Sequence, residues 1–210
     1  GYTDELWRQM VSLGWTGVAF PEQFGGTGGN FSDLGVLLEE IGRSLAPSPF
    51  VSTVVLGGMT VLDGGSEAQK EDLIGRICAG TLNMTTALNE ASATYEPWGI
   101  EASARKHDGK YEITGTKLFV PDAHAAHVIL VVAKTSSDRD PTKGITLFSV
   151  PSGAEGLSTT PMRSIGHERI FEVALDKVSV PEDSVIGGVG EAWPIIERMI
   201  MRATAAQCIQ

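Results

Sequence analysis

Ala102-Ser103-Ala104-Arg105-Lys106-His107-Asp108-Gly109-Lys110-Tyr111-Glu112-Ile113-Thr114 decides how the middle of this chain is read. Two β-type runs flank Asp108-Gly109, a dipeptide that readily supplies the positive φ angles of a tight hairpin turn. The second run continues as Gly115-Thr116-Lys117-Leu118-Phe119-Val120-Pro121, where proline breaks it. Upstream, Ala87-Leu88-Asn89-Glu90 is a second apolar run that turns polar abruptly. Downstream, Val128-Ile129-Leu130-Val131-Val132-Ala133 reads as a buried strand, and so does Ile145-Thr146-Leu147-Phe148-Ser149-Val150, ended by Pro151 and Gly153. Phe171-Glu172-Val173-Ala174-Leu175-Asp176-Lys177-Val178 alternates as a strand with one wet face. From Asn83 to Val185 the chain is thus short strands and turns with no helix between them, the pattern of an antiparallel sandwich or barrel.

Before that stretch the periodicity is helical. Leu34, Leu37, Leu38, Ile41 and Leu45 recur on one helix face behind Ser32 as N-cap, and Pro47 is the expected stop. Ser66-Glu67-Ala68-Gln69 is a capping box opening a helix that carries Leu73, Ile74 and Ile77 and closes at Gly80. Helices also fit residues 4–14 and 50–62, the second weakened by Gly57 and Gly58. Another begins near Trp193-Pro194, with Ile196, Met199, Ile200 and Ala203 along one face and no evident partner for that face. Helices followed by strands make an α+β chain. The expected domains are helical over 1–80, β over 81–188 and the start of a helical bundle over 189–210.

Composition narrows the function classes. At 210 residues the chain can bury a sizeable core, and 42% hydrophobic with 20% charged residues is ordinary for a folded soluble protein. A net charge of −10 disfavours nonspecific nucleic-acid or anionic-membrane binding. Cys78 and Cys208 form no CxxC pair, which argues against a disulfide framework or zinc site and for a reducing, cytoplasmic setting. No run approaches the ~20 apolar residues of a membrane span. The opening Gly1-Tyr2-Thr3-Asp4-Glu5-Leu6 lacks the basic start of a signal peptide.

Together with Phe20-Pro21-Glu22-Gln23-Phe24-Gly25-Gly26 and Val178-Ser179-Val180-Pro181, the patches at Ala87–Glu90 and Gly115–Pro121 resemble, in order and spacing, the acyl-CoA dehydrogenase flavoproteins. The resemblance implies a helical domain, a β domain and a second helical domain that only begins in this chain. It implies FAD as cofactor, an acyl-CoA substrate oxidised to the enoyl-CoA, an electron-transfer flavoprotein as acceptor, and a homo- or hetero-oligomer. It also implies that these 210 residues alone are not a working enzyme.

In that family the two patches wall the flavin ring. Carried over position by position, they make Thr86, Leu88, Asn89, Thr94, Tyr95, Phe119, Val120 and Pro121 the cofactor-binding residues. The pattern departs in places. The family's Thr-Glu-Pro-Gly-Ala-Gly-Ser-Asp is here Asn89-Glu90-Ala91-Ser92-Ala93-Thr94-Tyr95-Glu96, and its Trp-Ile-Thr-Asn-Gly is Phe119-Val120-Pro121-Asp122-Ala123. Phe119 keeps an aromatic face and Asn89 keeps a hydrogen-bonding side chain, whereas Pro121 has neither hydroxyl nor N–H. Phe119-Val120-Pro121-Asp122 resembles the steroid-thioester branch of the family, some of whose members pair two different subunits. A non-catalytic partner subunit is therefore the alternative reading. The catalytic carboxylate of the family comes from its third domain, so no catalytic residue is assigned, and Glu90 is expected to anchor a loop.

Other constellations carry less. Gly25-Gly26-Thr27-Gly28-Gly29 fits neither GxGxxG nor a Walker loop. Asp122, His124 and His127 lack the ligand set of a metal site. Arg163-Ser164-Ile165-Gly166-His167-Glu168-Arg169-Ile170-Phe171-Glu172 matches the family weakly and gives no site residue. Arg139, Lys143, Arg163 and Arg169 are basic candidates for coenzyme A phosphates.

Overall fold

Thr3 caps the first helix: its hydroxyl accepts the Leu6 amide at the start of α1 (Asp4–Ser12), which buries Trp7 and Met10. The computed structural model describes residues 3–166 and 169–210, so Gly1 and Tyr2 of the opening segment, and His167 and Glu168 of the weak family match, lie outside the described residues. The chain divides into two compact units, one formed by the residues up to Asn83 with Glu197–Gln210, the other by Met84–Ile196.

In the helical unit, α2 (Phe31–Arg43) is capped by Asn30, not Ser32. The Asn30 Oδ1 accepts from the Ser32 and Asp33 amides, and the Asp33 carboxylate accepts from the Asn30 amide, a reciprocal box that no serine two positions later can form. The helix also ends before Pro47. Leu45 adopts φ 49°, its amide reaches the Gly42 carbonyl and that of Ala46 reaches Ile41, closing a Schellman motif that leaves Leu45 exposed. Leu45 therefore lies outside the apolar stripe.

The next helix, α3, runs as Val51–Gly58 in π geometry and continues as Met59–Gly64. Gly58 lies against the Phe20 ring, where a Cβ would meet Cζ at 2.5 Å. α4 runs through Glu67–Gln69, Lys70–Ile74 and Gly75–Cys78, with the expected Ser66/Gln69 box. It closes on Gly80 at φ 70°, with Thr81 donating to Arg76 and Gly80 to Ile77.

α5 (Trp193–Ile209) carries Pro194 in its first turn. Its apolar face was expected to lack a partner, and this is corrected. Within the helical unit Met199 and Ala206 are buried, and the Asp63 carboxylate of α3 accepts from Arg202 at 2.6 and 3.2 Å and from Arg198 Nε at 3.2 Å. Gly42 of α2 leaves room for the Gln210 backbone, which a Cβ would strike.

The β unit holds β1 (Met84–Ala87), β2 (Ser103–His107), β3 (Lys110–Pro121), β4 (Val128–Lys134), β5 (Ile145–Pro151), β6 (Leu157–Pro161), β7 (Ile170–Pro181) and β8 (Val185–Ile186). They form one sheet in the order β6-β7-β3-β2-β4-β5-β8, with β1 paired to β4. A single bridge, Ser103↔Lys134, joins β2 to β4, so the sheet consists of two blocks sharing one core. Ile113, Val173 and Val178 of one block and Ile129, Val131 and Phe148 of the other are fully buried, and the Tyr111 ring tilts against Phe148 at 5.1 Å. The β2–β3 turn is the predicted one, with Asp108 at φ 47° and Gly109 at φ 72°. The pairing is not wholly antiparallel: β1 runs parallel to β4, with Met84 opposite Val128 and Ala87 opposite Val131. The long connection through the β2–β3 hairpin permits this, since parallel neighbours need such a crossover.

Candidate functional site

β1 lies beside both β4 and the end of β3, and this brings the patches at Ala87–Glu90 and Gly115–Pro121 together. The Thr85 hydroxyl donates to the Pro121 carbonyl at 2.7 Å, and the Leu118 amide donates to the Asn89 carbonyl at 2.8 Å. Lys117 completes the stitching. Its Nζ donates to the Leu88 carbonyl at 3.2 Å and to Glu90 Oε1 at 2.6 Å, and the side chains of the ion pair are only 0% and 4% exposed. The Glu90 carboxylate also accepts the Glu101 amide at 2.9 Å and the Ala102 amide at 3.0 and 3.1 Å. Burial pushes the Lys117 ammonium down to about 8, against the opposing pull of Glu90. Glu90 is the loop anchor it was expected to be.

Lys117 is the residue that sequence reasoning missed. Its signal was a lone cation in an otherwise apolar run, but only the strand register reveals that Glu90 faces it.

β3 reaches the site through two irregularities in its pairing with β7, between Ile113 and Gly115 and between Lys117 and Val120. At the first, Gly115 passes so close to Ala102 that a Cβ would sit 2.5 Å from the alanine methyl. At the second, Phe119 takes φ 56°, a genuine outlier for a bulky side chain, and turns its ring outward to 44% exposure. Val120 is buried behind it and Pro121 half-buried.

On the β1 side, Thr86 and Leu88 are buried. The Asn89 Oδ1 is buried with no hydrogen-bond partner among the described residues. Buried polar atoms are almost always paired, so an orphan at this place is suited to a ligand's donor. The structure thus gathers Leu88, Asn89, Phe119, Val120 and Pro121 into one wall. Thr94 and Tyr95 sit instead on the loop after Glu90, where Thr94 Oγ1 accepts the Glu96 amide, Ser92 Oγ donates to the Gly99 carbonyl and the Tyr95 ring is exposed.

Beside the wall, His124 stacks on Phe171 at 4.9 Å with Arg169 Nη1 3.2 Å from its Nε2. Burial, then the Arg169 charge, lower the His124 pKa against the pull of Asp122. Among the described residues no group of three or more His, Cys, Asp or Glu is arranged to hold a metal. Arg139, Lys143, Arg163 and Arg169 are all exposed and lie between strands. Among the described residues no helix is long and apolar enough to cross a membrane.

A helical unit followed by a stitched β unit is an arrangement that one known family shares. The chain belongs to the acyl-CoA dehydrogenase family: residues 1–81 match that family's N-terminal domain and residues 85–178 its middle domain. It is 32% identical over 191 residues to the acyl-CoA dehydrogenase FadE12 of Mycobacterium tuberculosis, covering 89% of this chain and 49% of that protein. The chain thus spans about half the length of the relative. The solved butyryl-CoA dehydrogenase of Megasphaera elsdenii superposes with a TM-score of 0.88 at 26% identity, over 99% of this chain and 56% of that one. The Tcur3481-Tcur3483 steroid ACAD superposes with a TM-score of 0.85 at 28% identity, over 96% of this chain and 53% of that one.

Proposed function

We propose that the protein to which this chain belongs is an FAD-dependent acyl-CoA dehydrogenase that converts an acyl-CoA thioester to the α,β-enoyl-CoA. The observation that carries this reading is the unpartnered, buried Asn89 Oδ1 beside an outward-turned Phe119, on two strand ends held together by Lys117. These residues fit a flat, polar-edged heterocycle, with an apolar face for the ring and an amide for its carbonyl or nitrogen edge. Bound there, FAD supplies the two-electron oxidising chemistry.

On this reading, Phe119 lies against the ring, Asn89 bonds its polar edge, and Leu88 and Val120 close the apolar back of the wall. Thr86, Thr94 and Tyr95 complete the set, the last two from the loop. Pro121 offers no donor where a hydroxyl would sit, so the ring edge facing it relies on groups elsewhere. Glu90 is committed to Lys117 and two amides, which leaves it unsuited to abstract the substrate α-proton. We assign that base to the half of the protein that the relatives carry beyond the matched region. A cytoplasmic oligomer, homo- or heteromeric, that passes electrons to an electron-transfer flavoprotein completes the proposal.

The test is to purify the full-length protein, measure flavin per chain and add acyl-CoA thioesters anaerobically. Stoichiometric flavin bleached by an acyl-CoA supports the reading. A flavin-free protein that becomes active only with a second subunit replaces it by the non-catalytic partner.

A further inference from the structure

The least expected group in the β unit is an ammonium with no solvent exposure. Lys117 brackets Asn89 without bonding its side-chain oxygen, donating to the carbonyl of the residue before it and the carboxylate of the residue after it. The Asn89 carbonyl is taken by the Leu118 amide, the next residue along the same strand. Three consecutive residues of the β1 end are therefore fixed by two consecutive residues of β3. The residue that follows these two, Phe119, is the one forced into the left-handed region.

A buried ion pair is seldom the cheapest way to stabilise a fold, because well-packed apolar residues often match or exceed it. What it supplies is a defined placement of the groups it ties. We propose that Lys117 is a positioning residue: it sets the separation and register of Asn89 and Phe119, the two opposed elements of the wall. The statement about what the wall binds rests on the proposed function; the statement about placement does not.

The experiment uses the full-length protein and two variants. K117M alone leaves the Glu90 carboxylate buried without its cation, so a large loss of stability is expected there. E90Q/K117M removes both charges at nearly unchanged volume, and the amide carbonyl introduced at position 90 can still accept from the Glu101 and Ala102 amides. Its unfolding midpoint is expected to recover toward that of the unaltered protein.

Two readouts follow on the double variant. Amide exchange over residues 88–91, without added flavin, should quicken roughly tenfold or more while the β4–β5 pairing stays protected. FAD affinity, read by quenching of flavin fluorescence, should fall by roughly tenfold, the factor expected when one buried bond is unmade. Exchange unchanged over residues 88–91, or raised uniformly across the β unit, would overturn the proposal. So would local loosening with FAD affinity intact. Should the unaltered protein bind no flavin while the double variant loosens locally, positioning stands and the flavin reading falls.

Discussion

Phe119 shows what one residue gives up for a site. Its φ of 56° carries a cost of about 1–3 kcal/mol for a bulky side chain, and the residue stays 44% exposed. We expect F119G to weaken FAD binding while changing unfolding stability by no more than about 1 kcal/mol in urea titrations, because relieved strain offsets lost burial and added chain entropy. A variant destabilised well beyond that would mean that the ring supports the fold. Lys117 gives a pH signature. Its pKa lies near 8 in the folded protein, below the ordinary 10.5, so across that window the unfolded chain holds a proton that the folded one has released. Stability attributable to Lys117 therefore rises with pH between those values. Relative to E90Q/K117M, the unaltered protein should gain unfolding free energy as pH rises across the window, and a flat difference would contradict the assignment. At this scale the sequence disclosed the candidates but not their geometry. Asn89 and Phe119 were visible as departures from a pattern, whereas the Lys117–Glu90 pair joins positions 27 residues apart and exists only once β1 lies beside β3.

Elements were legible wherever a local rule decided them. The Asp108-Gly109 hairpin, the Ser66/Gln69 box and the Gly80 closure all rest on chemistry within a few residues, and each formed as read. Misreadings arose where two local candidates competed or where the partner was distant. Asn30 outcompeted Ser32 because Asp33 could reciprocate, and Leu45 left the helix because a Schellman closure came before the proline. The parallel seat of β1 and the cover over α5 depend on chain brought in from afar. That cover predicts that D63N, which weakens the bidentate bond to Arg202 and the bond to Arg198, destabilises the helical unit by about 1–3 kcal/mol in chemical denaturation. In β3, Gly115 faces the Ala102 methyl, so G115A must push β2 from β3 or distort the bulge. A loss of about 2–4 kcal/mol is expected, and a neutral G115A would show that the irregularity is dispensable.

For the whole molecule, a helical unit followed by a β unit was readable from the switch in hydrophobic period near Asn83, whereas the strands Leu157–Pro161 and Val185–Ile186 carried no pattern that announced them. The family was readable because short motifs kept their order along the chain. The substrate was not, since selectivity depends on pocket walls that none of these motifs supplies. Everything proposed for function depends on the stitched ends of β1 and β3 forming a flavin-ring wall. The most direct test is equilibrium titration of the apo full-length protein with FAD, comparing it with N89A. About one flavin per chain is predicted for the unaltered protein, with an affinity loss of roughly tenfold for N89A, whose deletion removes the orphaned buried acceptor. Saturable binding of equal strength in both proteins would contradict the wall.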